Sequence, residues 1–106
     1  MIVKNKKFVI ICNPKVSFEK IDDEICLYNE ETNRMAVLNS TASAVFLFLL
    51  DAVQNGSASI EIGKIVQHLC ECCSCPDEMV LVVYRDVKNI LEDFKKESFF
   101  LWGKDK

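Results

Sequence analysis

Residues 25–48 read ICLYNEETNRMAVLNSTASAVFLF. A short apolar strand at residues 25–28 is followed by a polar turn at residues 29–33, and a second strand at residues 35–38 leads directly into an apolar helix. The second strand has little sequence in which to acquire another neighbour. We therefore expect it at the edge of a sheet, where its unpaired N–H and C=O groups form a template for an extended peptide.

Length and composition set the broad class of the protein. The chain has 106 residues, half of them hydrophobic, which is enough for a single domain with one core. Its formal net charge of −3 argues against general nucleic-acid binding. The apolar run at residues 8–12 is too short for a signal peptide, and the run at residues 42–50 is too short to span a bilayer. We expect a cytoplasmic protein with no membrane partner.

The remaining pattern predicts an α+β order of elements. Residues 8–12 form a possible strand, and Val16, Phe18 and Lys20 alternate as in a half-buried strand. The first helix starts after a cap at Asn39 or Ser40 and runs to about Val53. Two more helices and a closing strand at residues 99–102 follow. The fold class is winged-helix-like, a three-stranded antiparallel sheet followed by three helices, in one domain (residues 1–106) with residues 1–12 as an extension that can add a strand.

The second and third helices have clear apolar faces. Ser59 is expected to cap the second helix, whose apolar residues recur at i, i+3, i+4 and i+7: Ile62, Ile65, Val66 and Leu69. The third follows Pro76 and ends near Glu97. Its apolar arc is wider than one docking face needs, and basic residues lie beside one edge of it. This arc is either a wide core face with a solvated basic rim, or a face partly offered to an acidic amphipathic ligand.

Six cysteines are many for a chain of this length. In a reducing compartment they stay thiols, and Cys12 and Cys26, within apolar strands, are expected to be buried. The others lie in a predicted loop at Cys70, Cys72, Cys73 and Cys75. Their two C-x₂-C spacings interleave, whereas a tetrahedral metal site usually joins two such pairs across a longer segment. The spacing favours surface thiols, so we assign no metal or other cofactor.

No set of residues in the sequence has the pattern of an active site. His68 is the only histidine, which excludes a convincing Ser/His/Asp set, and three glycines supply no phosphate-binding loop. We therefore expect no enzymatic activity. Two alternatives to a peptide-binding protein stay open. One is a winged-helix DNA-binding regulator that reads DNA with the third helix, and the other is a small metal- or redox-sensing protein that uses the cysteines.

Several short motifs resemble the PqqD-like peptide chaperones, also called recognition elements of ribosomally made, post-translationally modified peptides. The residues that carry the resemblance are Asn13-Pro14-Lys15-Val16, Leu38-Asn39-Ser40-Thr41-Ala42 at the start of the apolar helix, Ile60-Glu61-Ile62, and Asp86-Val87 followed by Ile90-Leu91. Together they cover about residues 13–101. The resemblance departs at the cysteines and after the third helix, where Lys96, Glu97 and Ser98 replace a frequent glycine.

The resemblance implies a non-enzymatic protein that captures the leader of a precursor peptide and presents it to a modifying enzyme, often a radical S-adenosylmethionine protein. We expect a monomer or weak homodimer. The leader would add a strand between the third strand of the sheet and the third helix. The implied peptide-binding residues are Arg34, Met35, Ala36, Val37 and Leu38 on the strand, and Leu81, Tyr84, Lys88, Leu91 and Lys95 on the helix.

Overall fold

The structure is a computed structural model that describes residues 7–56, 59–73 and 76–103. Its elements follow the order β1 (Lys7–Cys12), β2 (Val16–Ile21), β3 (Glu24–Asn29), β4 (Arg34–Leu38), α1 (Ser40–Gln54), β5 (Ser59–Glu61), α2 (Ile62–Cys73), α3 (Val80–Lys96) and β6 (Phe100–Gly103). A single 3₁₀ turn, Asp77–Met79, precedes α3. The predicted α+β class, with a three-stranded antiparallel sheet and three helices, is confirmed.

Two antiparallel sheets flank the helices. One has the strand order β2-β3-β4, and the other has the order β5-β1-β6. Strand β1 therefore lies in the second sheet, between a strand that precedes α2 and the strand that follows α3. This second sheet joins distant parts of the chain, and the sequence pattern did not reveal it.

The core lies between the β2-β3-β4 sheet and the helices. Helix α1 contributes Val45, Phe46 and Leu49, each at most 2 % exposed. The predicted apolar face of α2 is confirmed, since all four of its residues are buried: Ile62, Ile65, Val66 and Leu69. The buried residues Ile10, Ile60 and Phe100 of the second sheet belong to the same core, into which one side of each amphipathic helix packs.

Several local predictions were wrong. Ser59 begins the short strand β5 rather than capping α2, which starts at Ile62. Helix α2 continues to Cys73, so Cys70, Cys72 and Cys73 are helical rather than in a loop, and Cys75 lies outside the described residues. Cys12 is exposed although it lies in a strand, and Cys26 is only half-buried. Cys12 shares a face of β1 with the buried Ile10, so its exposure shows that the core does not reach the last residue of this strand.

Helix α3 ends in a Schellman motif without glycine. The amide of Ser98 donates to the carbonyl of Lys95 (3.2 Å), and that of Phe99 donates to the carbonyl of Phe94 (3.1 Å). The rings of Phe94 and Phe99 supply the accompanying apolar contact at 5.8 Å. Ser98 adopts a φ of 58°, the left-handed conformation in which glycine is favoured. The helix thus ends at Lys96, close to the predicted end near Glu97, with Ser98 in strained backbone geometry.

Ser98→Gly should raise the free energy of unfolding by about 0.5–1 kcal/mol, because relief of the left-handed strain exceeds the extra chain entropy of glycine. Urea denaturation followed by far-ultraviolet circular dichroism measures this. Gly56→Ser is the reciprocal control: Gly56 has a φ of 84° and no atom within 4 Å of an added Cβ, so only backbone strain changes. The control should lose about 1 kcal/mol; a Ser98→Gly variant no more stable than wild type would contradict the strain argument.

Candidate functional site

Strand β4 is an open edge. Among the described residues it pairs only with β3, in the register Ile25↔Leu38, Leu27↔Ala36 and Asn29↔Arg34. The side chain of Leu38 is buried against the core, whereas Met35 and Val37 point to the opposite face of the sheet. The strand is five residues long, and one of its two sides is free to bond to an added strand.

The turn between β2 and β3 determines which backbone groups of β4 face the open edge. Residues Asp22 and Asp23 form a two-residue turn between Ile21 and Glu24, and such a turn makes its flanking residues a hydrogen-bonded pair. Bonding alternates along an antiparallel ladder, so the odd-numbered residues of β3 bond to β4. Their partners are the even-numbered residues of β4. The N–H and C=O groups of Met35 and Val37 consequently face the open edge.

The hydroxyl of Ser43 supports this assignment and anchors the strand. Buried on α1, it accepts a hydrogen bond from the amide of Ile25 (3.0 Å) and donates one to the carbonyl of Leu38 (3.1 Å). A single hydroxyl can bridge these two groups only if they point towards each other. Ser43 thus links α1 to both strands at the end of the hairpin. Next to it, the Asn39 side chain caps α1 by accepting from the amide of Ala42 (2.9 Å), which resolves the choice between Asn39 and Ser40.

Ser43→Ala should lower the free energy of unfolding by about 2 kcal/mol, because it leaves a buried amide and a buried carbonyl without their bridge. Thermal unfolding followed by circular dichroism measures the loss. Ser40→Ala is a control in the same helix, since Ser40 is exposed and does not supply the cap. Equal stabilities of the two variants would show that the bridge contributes little.

A cavity of about 340 Å³ lies between β4 and α3. Its apolar lining includes Ala36, Leu38, Ala42, Ile90, Phe94 and Phe99, and its polar rim includes Arg34, Asp93, Lys96 and Glu97. Arg34 and Glu97 form an ion pair of 3.4 Å that joins the strand to the helix at one end of the cavity. The free edge of β4 thus borders an apolar groove with charges of both signs at its rim.

Two buried asparagines hold the C-terminal end of α3 beside the sheet. The Asn29 amide donates to the carbonyl of Glu97 (3.1 Å), and the Asn13 amide donates to the carbonyl of Ser98 (2.7 Å). Each side-chain oxygen also stabilises its own turn: that of Asn29 accepts from the amide of Glu31 (2.9 Å), and that of Asn13 accepts from the amide of Lys15 (2.9 Å). These bonds fix the distance between α3 and β4 at this end of the groove.

The sequence-predicted peptide-binding residues lie in two places. Arg34, Ala36 and Leu38 line the cavity. Met35 also borders it, although the side chains of Met35 and Val37 alternate with these three and lie on the opposite face of the sheet, 69 % and 66 % exposed. The predicted helix residues recur at spacings of three and four on a different side of α3 and do not line the cavity: Leu81, Tyr84, Lys88, Leu91 and Lys95. Of these, Leu91 is buried in the core.

The helix residues that line the cavity were not predicted. Ile90, Asp93 and Glu97 follow the i, i+3, i+7 pattern on the other edge of the apolar arc, one turn after Asp86. Periodicity shows that the arc has two edges, but the packing of α3 along α2 decides which edge faces β4. The rim is therefore of mixed charge rather than basic.

The described residues give no support to the two alternative site types. They contain no group of three or more His, Cys, Asp or Glu side chains arranged to hold a metal ion. The exposed residues of α3 include four basic ones and three acidic ones, so its charge is mixed: Arg85, Lys88, Lys95 and Lys96, and Asp86, Glu92 and Asp93. In the part of the chain that the structure describes, no helix is both long and apolar enough to cross a membrane.

Comparisons with known proteins identify the fold. The structure is similar to that of TbiB1 in complex with the TbiA(β) leader peptide, with a TM-score of 0.71 over 90 % of this chain and 99 % of TbiB1. The two chains share a fold. Their sequences are 20 % identical. No family model matches this sequence, and no curated protein matches it.

Proposed function

We propose that this protein is a non-enzymatic chaperone that binds the leader of a ribosomally synthesised precursor peptide and presents it to a modifying enzyme, of the radical S-adenosylmethionine type. The observation that carries the proposal is the open edge of β4 beside the apolar cavity. The fold that this protein shares with TbiB1, whose structure contains a leader peptide, also supports peptide binding.

The geometry suits capture of an extended peptide. An added strand would bond to the N–H and C=O groups of Met35 and Val37, which demands little of the peptide sequence. Its inward side chains would enter the cavity lined by Leu38, Ile90 and Phe94. Micromolar affinity requires about 8 kcal/mol, which a short strand and two or three buried apolar side chains are able to supply. We include all residues of Arg34–Leu38 in the proposed site.

The helix side of the proposed site has two parts. The cavity-lining residues Ile90, Asp93 and Glu97 are the nearer wall. The helix residues predicted from the sequence stay a prediction: Leu81, Tyr84, Lys88, Leu91 and Lys95. Alanine substitution of Lys88, one of the exposed residues in this set, tests it. We expect the protein to act as a monomer or weak homodimer, in the cytoplasm, without a cofactor and without binding nucleic acid or membrane.

The test is selection of ligands from a displayed library of random twelve-residue peptides, followed by calorimetric titration of the best binder, called here the selected peptide. We expect a Kd in the micromolar range or below. A library that yields no binder to the folded protein would contradict the proposal.

Ala42→Leu should weaken binding of the selected peptide by tenfold or more. Ala42 lies on the floor of the cavity, and a leucine there would occupy the space for a peptide side chain while leaving the β4 backbone unchanged. The matched control is Thr41→Leu, an exposed position one residue earlier on α1. Calorimetry with both variants measures the effect, and equal affinities would place the peptide elsewhere.

A further inference from the structure

The β2-β3-β4 sheet has a second face, turned away from the helices, and this face is apolar along β4. Met35 is 69 % exposed and Val37 is 66 % exposed, the two largest exposures among the large hydrophobic residues described. Two exposed apolar side chains two residues apart in a strand lie side by side on the same face. Met35 and Val37 together form an apolar surface, the outer strip.

In the two rows of this face that contain Met35 and Val37, the apolar character increases towards the open edge. Ile21, the third β2 residue on this face, is 56 % exposed but lies outside these rows, beside the β2-β3 turn and opposite Glu24. In the two rows themselves, β2 carries Ser17 and Glu19, which are polar and exposed. Their neighbours on β3 are Tyr28 and Cys26, which are half-buried and pair in register with Met35 and Val37. A partner that covered the middle of the sheet would favour apolar residues on β2 in these rows as well. The gradient therefore indicates a narrow occupant that lies along β4.

A strand added to β4 would meet the outer strip directly. Side chains of an added strand alternate between the two faces, and those directly opposite Met35 and Val37 lie on the same face as these residues. The backbone groups of Met35 and Val37 are also the ones that face the edge. Every second side chain of the peptide would consequently pack on the outer strip, while the others enter the cavity.

We propose that the ligand is a peptide segment with a continuous run of about four or five apolar residues, read on both faces, and that Met35 and Val37 determine this specificity. This inference rests on the proposed function. A peptide with alternating apolar and polar residues would fill the cavity but leave the outer strip uncovered. The continuous run would cover both.

The test selects the random twelve-residue library in parallel against wild type and against Met35→Thr/Val37→Thr. Threonine keeps the β-propensity of an exposed strand position and removes most of the apolar surface. We expect wild type to enrich consecutive apolar residues, and the double variant to enrich alternating apolar and polar ones. The peptide selected on wild type should bind the double variant about fivefold more weakly.

The control is Ile11→Thr/Leu101→Thr. Ile11 and Leu101 are an exposed apolar pair in register between β1 and β6, in the other sheet, with exposures of 56 % and 40 %. This variant should bind the selected peptide as wild type does and should enrich the same continuous pattern. A loss of affinity equal to that of the Met35→Thr/Val37→Thr variant would show a general effect of lost apolar surface, and would overturn the assignment.

The outcomes separate this inference from the proposed function. If wild type selects peptides in which apolar and polar residues alternate, the inference of a continuous apolar run is overturned, while peptide capture at the edge of β4 is supported. Absence of any bound peptide would overturn both. Sedimentation velocity of the free protein tests a second copy as the occupant: we expect a monomer, and a dimer that Met35→Thr/Val37→Thr dissociates would overturn the inference because the partner copy would cover the strip.

Discussion

Val37→Pro should leave the protein folded and lower its affinity for the selected peptide by tenfold or more. Proline lacks the backbone N–H, and at position 37 that N–H faces the open edge rather than β3. The bound peptide would lose one main-chain hydrogen bond and meet the proline ring at the edge. Calorimetric titration gives the affinity, and circular dichroism gives the fold.

The adjacent position supplies the matched control. Ala36→Pro removes an N–H that bonds to β3, so this variant should lose stability, by about 3 kcal/mol, rather than only affinity. The contrast between neighbouring residues is specific to edge capture. A folded Val37→Pro protein with wild-type affinity would place the peptide away from β4.

Asn29→Asp should lower the free energy of unfolding by about 3 kcal/mol, although the two side chains have nearly the same shape. Asn29 is 1 % exposed, and its amide donates to the carbonyl of Glu97. Aspartate has no such donor when ionised and would direct a buried negative charge at a carbonyl oxygen. A midpoint of thermal unfolding lower by more than about 10 °C is the expected observation.

Asn33→Asp is the control for this change. Asn33 is exposed, and its side-chain oxygen accepts a hydrogen bond from the hydroxyl of Tyr28 (2.7 Å), a role that a carboxylate also fills. Its φ of 56° is accessible to aspartate as well as to asparagine. The control should therefore unfold within about 0.5 kcal/mol of wild type. If both variants lose a similar free energy of unfolding, the effect comes from the added charge and not from the lost hydrogen-bond donor.

Local patterns predicted much of the fold. The hairpin before Asn39 and the four apolar residues of α2 each depend on residues close in sequence, and the structure reproduces them. The strand predicted from Val16, Phe18 and Lys20 is also present, but its expected alternation of burial was wrong, because every residue of β2 after Val16 is exposed. Strands at residues 8–12 and 99–102 were expected, but their pairing in the β5-β1-β6 sheet was missed, because it connects β1 to residues 59–61 and 100–103, far away in sequence. A strand's partner at such a separation leaves no periodic signal in the sequence.

The candidate site was predictable on its strand side only. Little chain follows the hairpin before α1, and this correctly placed β4 at an edge. On α3, the choice between the flank of Lys88 and the flank of Asp93 depends on the rotation of the helix about its axis. That rotation is set by packing against α2 and by the bonds of Asn13 and Asn29, both of which involve contacts distant in sequence.

The two asparagine bonds also make the mechanics of α3 asymmetric. Its last residues are fastened to the turns of the sheet, whereas Met79 at its start has no side-chain cap. A helix fastened at one end moves as a lever, with the largest displacement at the other end. We therefore expect the cleft to keep its width beside Arg34 and to adapt near Ile90, the α3 residue of its lining that is farthest from the fastened end. A bulky peptide residue should be tolerated near Ile90 and discriminated against beside Arg34.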